Sequence, residues 1–105
     1  MAALTRRGRY HLYMLQCADG TYYSGSTNDL EARIKLHNSG NGAKYLRGRG
    51  PARVVYVKEY RYYRDVVRAE RNLKKLTRKE KEALIRIHTR SKQPPVPGLE
   101  KYRDA

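Results

Sequence analysis

Apolar and aromatic residues fall in short runs, cut by Gly, Asp and Pro. The run Tyr10-His11-Leu12-Tyr13-Met14-Leu15-Gln16-Cys17 is followed by Asp19-Gly20 and then by Thr21-Tyr22-Tyr23-Ser24-Gly25-Ser26. Asp-Gly between two β-favouring runs predicts a hairpin, with strands over residues 10–17 and 21–26. Asn28 is a good helix N-cap, and Glu31 stands three residues on, as a capping box requires. The helix that follows ends by residue 39, before Gly40 and Gly42. Residues 40–52 are Gly-rich and basic and read as a loop. Residues 53–60 form a third strand and 64–76 a second helix. Thr77 and Glu80 make another capping box, opening a third helix over 78–89. The resulting order is β-β-α-β-α-α. It predicts an α+β domain over residues 10–90, a small three-stranded, mainly antiparallel sheet flanked by helices. Residues 1–9 read as a basic arm, useful for unspecific attraction. Residues 91–105, with Pro94, Pro95 and Pro97, read as a loose tail.

Two helices carry polar residues on the side that the apolar pattern turns inward. In the first, Arg33 and His37 fall within the arc marked by Leu30, Ile34 and Leu36 and point toward the sheet, one turn apart. An inward Arg needs an anion or acceptors, so it is either a structural bridge or part of an anion site. In the second helix Glu70 lies between Val66 and Val67, on or beside the packed face. It either pairs with Lys74 at i+4 or is offered to Arg33 or a divalent cation. Arg, His and Glu converging on Tyr-bearing strands suit attack on a phosphodiester. Arg gives a fixed cationic fork, Glu anchors a hard metal ion, and Tyr or His moves protons.

Composition narrows the partner. The chain has 105 residues, enough for one small domain, with 24 Lys and Arg against 10 Asp and Glu, a net charge of +14. That much positive charge repels itself, and a polyanion relieves it. Nucleic acid is the default polyanion. A membrane-surface binder and a ribosome-associated structural protein are the alternatives. No run of 18 apolar residues offers a membrane span, and no secretory signal is visible. A single cysteine, Cys17, rules out an internal disulfide framework and fits a reducing, cytoplasmic compartment. It reads as a small buried residue at a strand end, and it makes no zinc spacing with His11, His37 and His88.

The segment from Tyr23-Ser24-Gly25 through Arg33 to His37 resembles the second half of the GIY-YIG nuclease signature, with His11-Leu12-Tyr13 as the first triplet. His11 stands where the family has Gly, and Ser24 where it has the middle Ile. Glu70 falls where that family places its metal-binding acid. Residues 39–51 and 73–81 are similar to the small stand-alone bacterial branch. The resemblance covers residues 10–86 and implies metal-dependent cleavage of nucleic acid, DNA more than RNA, in a repair or recombination setting. It also implies the roles. Tyr13 and Tyr23 sit side by side at the strand ends, and Tyr23 in particular helps deprotonate the attacking water. Arg33 stabilises the pentavalent phosphate, His37 orients or relays a proton, and Glu70 holds one Mg²⁺ or Mn²⁺. Nucleases of this family usually join the module to a further domain, so a protein partner that supplies specificity is expected. The rival is a basic DNA- or RNA-binding module without turnover.

The remaining basic residues are candidates for substrate contact. Lys44, Arg47 and Arg49 lie in the Gly-rich loop, which lacks the ending of a nucleotide-binding P-loop. Lys74 and Lys75 open a basic run beside Glu70. Tyr56, Tyr60, Tyr62 and Tyr63 read as core and rim packing around the third strand.

Overall fold

The computed structural model describes residues 7–39 and 51–90. β1 (Arg7–Gln16) is the central strand. It pairs antiparallel with β2 (Tyr22–Thr27) on one side and with β3 (Arg53–Tyr62) on the other, giving the order β2-β1-β3. The three-stranded antiparallel sheet and the three helices are those the apolar pattern predicts. Leu12, Tyr13, Met14 and Leu15 are all buried, because helices cover both faces of β1. That explains why the strand reads as a continuous apolar run rather than an alternating one.

The hairpin turns as Asp19-Gly20 foretells. The Gly20 amide donates to the Cys17 carbonyl at 2.9 Å and the Cys17 amide to the Thr21 carbonyl at 2.8 Å. Gly20 takes a φ of 86°, a backbone state in which a Cβ is strained. The Thr21 hydroxyl and amide both donate to Asp19 Oδ1, at 2.6 and 3.1 Å.

α1 (Leu30–Asn38) packs on one face of the sheet, where Tyr13, Leu15 and Cys17 meet Leu30, Ile34, Ala52, Val54 and Val57. α2 (Tyr63–Lys74) covers the other face through Val66 and Leu73, against Tyr10, Leu12 and Met14. Leu84 and Ile85 of α3 (Arg78–Arg90) close that second core. Tyr56 and Tyr60 pack against it too, as expected of them. A register shift between Met14 and Leu15 skips Val55. Val54 and Val57, three residues apart, therefore face the same side.

The boundaries differ in instructive places. β1 starts at Arg7, three residues earlier than the pattern predicts, so Arg7 and Arg9 are strand residues where a loose arm was expected. The N-cap of α1 is Asp29, not Asn28. Its Oδ1 accepts from the Ala32 amide at 3.2 Å, while Glu31 pairs with Lys35 at 3.4 Å. The second box holds: the Glu80 amide donates to Thr77 Oγ1 at 3.2 Å and the Thr77 amide to Glu80 Oε1 at 2.9 Å. β3 runs two residues further than expected, α2 begins at Tyr63 and ends at Lys74, and Cys17 is buried. At the far end of α1, Asn38 ties the helix to the start of β3. The Ala52 amide donates to Asn38 Oδ1 at 2.9 Å and Asn38 Nδ2 to the Ala52 carbonyl at 3.3 Å.

Candidate active site

The candidate residues gather around β2, an edge strand, and the strand's alternation explains how. Tyr23, Gly25 and Thr27 oppose Leu15, Tyr13 and His11 and share the α1 face. Ser24 and Ser26 oppose Met14 and Leu12 and face α2. α1 therefore supplies Arg33 and His37 on one side of β2, and α2 supplies Glu70 and Lys74 on the other.

On the α1 side, Tyr13 is fully buried in the middle of β1, not at its end, and its hydroxyl lies 3.1 Å from His37 Nε2. Tyr23 is half-buried. Its ring centroid is 6.4 Å from that of Tyr13 and 5.5 Å, edge to face, from that of His37. His37 is itself buried, completing a stripe with Leu30 and Ile34. Burial, reinforced by the nearby Arg33 charge, holds the His37 imidazole below its ordinary value and therefore neutral at pH 7. Burial pushes the Tyr13 phenol far up, and Tyr23 and Glu70 add to this. Charge and a hydrogen bond from Arg33 oppose it.

Arg33 is exposed, which corrects the expectation of an inward Arg, and Leu36 is 44% exposed. A nine-residue helix packed on the sheet face buries only the narrow stripe Leu30, Ile34 and His37. Arg33 stands beside that stripe, keeps its charge in water, and bends its long stem back toward the Tyr13 hydroxyl.

On the α2 side, Glu70 makes both of the contacts open to a carboxylate there. The Ser26 hydroxyl donates to Oε1, and Lys74 Nζ lies 2.8 Å from Oε2. Burial alone raises the Glu70 carboxyl. The hydrogen bonds from Lys74 and Ser26, with the charges of Lys74 and Arg33, outweigh it and leave the group below its usual value, ionised at neutral pH. The Glu70 hydrogen bond in turn raises Lys74, against partial desolvation, and Tyr23 is close enough to add to the effect. The i,i+4 alternative for Glu70 is thus realised, and Lys74, expected on substrate, sits on Glu70. Lys75 is exposed and makes a hydrogen bond only through its backbone among the described residues. Lys44, Arg47 and Arg49 lie outside the described residues.

Two participants have no role assigned from the sequence. Ser26 has a signal only in retrospect, since its side of β2 becomes known once the register is. Gly25 has no positive φ. Its role is space, because a Cβ there would stand 2.7 Å from the Tyr13 hydroxyl.

A divalent ion fits this donor set. Among the described residues no group of three or more His, Cys, Asp or Glu gathers. A single ionised, half-buried carboxylate suits an ion that keeps most of its waters, and such an ion competes for it with the Lys74 ammonium at 2.8 Å.

A profile of the GIY-YIG catalytic domain matches residues 9–83. The UPF0213 protein YazA of Bacillus subtilis is 40% identical over 84 residues, 80% of this chain and 85% of that protein. A UPF0213 protein of Halobacterium salinarum is 43% identical over 76 residues, 72% of this chain and 99% of its own length. The solution structure of UPF0213 protein BH0048 from Bacillus halodurans superposes with a TM-score of 0.52 at 43% identity, covering 75% of this chain and 84% of that one. The structure of EF2693 from E. faecalis gives 0.58 at 32% identity, covering 88% and 98%. Sequence and fold agree, and the chain belongs to the GIY-YIG family.

Proposed function

We propose that this chain is an endonuclease that hydrolyses phosphodiester bonds of nucleic acid, DNA in preference to RNA, with one Mg²⁺ or Mn²⁺. The observation that carries the reading is the meeting of an exposed guanidinium, a neutral buried imidazole, two phenols and an ionised carboxylate around one strand. Tyr23, the accessible phenol, meets the attacking water. His37, neutral and set behind both phenols, is the acceptor for the proton that leaves it. Tyr13 is a positioning residue: it stays a phenol at neutral pH and fixes the imidazole through the 3.1 Å contact. Arg33, solvated and unobstructed by a carboxylate partner of its own helix, lies against the phosphate as charge builds there. Glu70, oriented by Ser26, would hold the metal ion in place of Lys74. When bound there, a divalent cation would supply positive charge to offset the anion that develops as the ester bond breaks. Repair or recombination in the cytoplasm, with a protein partner that selects the substrate, is the setting we favour.

The test is nicking of plasmid, single-stranded, flap and junction DNA with Mg²⁺ or Mn²⁺. Glu70→Gln and Arg33→Ala are each expected to lose at least about 100-fold in rate while binding persists. Parent-like cleavage by Glu70→Gln would remove the metal-anchoring role. The Glu70–Lys74 ion pair favours a second reading, a binding module in which the carboxylate is permanently neutralised. Absence of cleavage on every substrate, with tight binding retained, supports that one.

A further inference from the structure

A cleft of about 720 Å³ opens next to the candidate active site, between the start of β1 and the start of α2. Ser26, which holds Glu70, and Arg33 form the wall it shares with the site. Arg7 and Arg9 line it from β1, and Tyr10 and Tyr63 close it with Val66. The cleft is of a size that takes a small organic ligand, within the range of about 300–1,000 Å³ usual for such sites. A duplex is too wide to enter it.

Its chemistry is two-sided. Tyr10 and Val66 are buried and give an apolar floor. Three arginines surround that floor, and no acidic residue is among the described lining residues. Arg9 also reaches Glu59 at 3.4 Å, yet its side chain stays 82% exposed. Tyr63 is 40% exposed at the edge of the cleft. Its ring meets Tyr10 edge to face, centroids 5.5 Å apart and planes at 61°, so Tyr10 covers at most one face of it. A track for phosphates alone has no use for an aromatic floor, and a purely apolar pocket has no use for three guanidinium groups. A nucleotide carries both partners, a flat base and an anion.

We propose that this cleft is a subsite for an unpaired nucleoside flanking the scissile phosphate, with its base against Tyr63 and its phosphate on Arg7 and Arg33. The proposal rests on the nuclease reading for the word scissile, but not for the binding itself. Base stacking on Tyr63 adds affinity without demanding a particular base, since every base has a π-face. Substrates with an unpaired or extrudable nucleotide beside the cut are therefore favoured over a continuous duplex.

The experiment reads binding, not cleavage, so that its failure is separable from failure of the nuclease reading. Fluorescence anisotropy of a labelled single-stranded oligonucleotide is followed with all divalent ions chelated, beside the same sequence as a duplex. Tyr63→Ala is expected to weaken single-strand binding about 10-fold, as loss of one stacked base does. Tyr63→Phe should retain parent affinity, and duplex binding should change less than about 2-fold, since phosphate contacts rather than stacking carry it. On a strand just long enough to fill the site, which fixes its register, a walk of single abasic positions should find one position where base removal costs the parent as much as Tyr63→Ala does. At that position the variant should lose nothing more. Equal losses on both substrates, or no sensitive position in the walk, overturn the proposal. The walk needs only the parent protein, so it can still overturn the proposal if Tyr63→Ala does not fold.

Discussion

Tyr13 puts its hydroxyl in the space that a side chain on Gly25 would need, 2.7 Å from the position of a Cβ. Gly25→Ala is therefore expected to push the phenol away from His37. Overpacking of this kind costs about 1–3 kcal/mol, and urea titration should show that loss together with impaired cleavage. The same pair sets a pH dependence. His37 is depressed in the folded chain by burial and by Arg33, so the unfolded chain takes up its proton first on acidification. Its contribution to stability is complete above the unfolded value of about 6.5 and is lost as pH falls through the lower folded value. His11 is also lowered, chiefly by burial, so stability against pH does not separate the two. Activity does: kcat/KM should fall on an acid limb below about pH 6.5, and His37→Gln should abolish that limb along with most of the rate. Tyr13 is pushed so far up that no alkaline limb should come from it.

β2 is the element on which sequence reasoning reached furthest and also stopped. The Asp-Gly turn gave away the hairpin, and the spacing of Tyr23, Arg33 and His37 pointed to half of the candidate site. Which side chains share a face depends on register, and one residue of slip reverses it. The contact of Ser26 with Glu70, across 44 residues, was for that reason invisible. Arg33 was misjudged on α1 for a different cause. A helical wheel treats every helix as fully covered, whereas this one is short and buries only the stripe Leu30, Ile34 and His37. The choice of Asn28 over Asp29 as N-cap failed because both are good caps and only the backbone decides between them. Asp29→Ala should cost about 1 kcal/mol in thermal or urea unfolding, and Asn28→Ala close to nothing. Ser24 is the reverse case on the same strand. It is 5% exposed, packs opposite Met14, and its hydroxyl has no hydrogen-bond partner among the described residues. Ser24→Ala removes a buried unsatisfied group and should stabilise the fold by about 1 kcal/mol without loss of cleavage.

The net charge of +14 was legible before any element was placed, and the structure shows how the fold tolerates it. The acidic residues are spent one by one on basic neighbours: Glu31 on Lys35, Glu59 on Arg9, Glu70 on Lys74, Glu82 on Arg78. Exposed pairs of this type contribute little, so the bulk of the positive field stays directed at solvent. Arg33 on α1, Lys75 at the C-cap of α2, and Arg7 and Arg9 on β1 belong to that field. A ligand that neutralises them must release counterions, and its affinity must then fall with salt, by a slope of about 0.9 per phosphate for a duplex and about 0.7 for a single strand. Between ~50 and ~200 mM salt the affinity for DNA is expected to drop by about three orders of magnitude if six or more phosphates are engaged. Arg7→Gln, which removes a single cleft cation, should lower the slope by about one while leaving its form unchanged. Anisotropy titrations over a salt series measure both. An affinity that does not move with salt would mean that the positive surface is not the binding surface, and that the partner drawn to this domain is held by apolar contact instead.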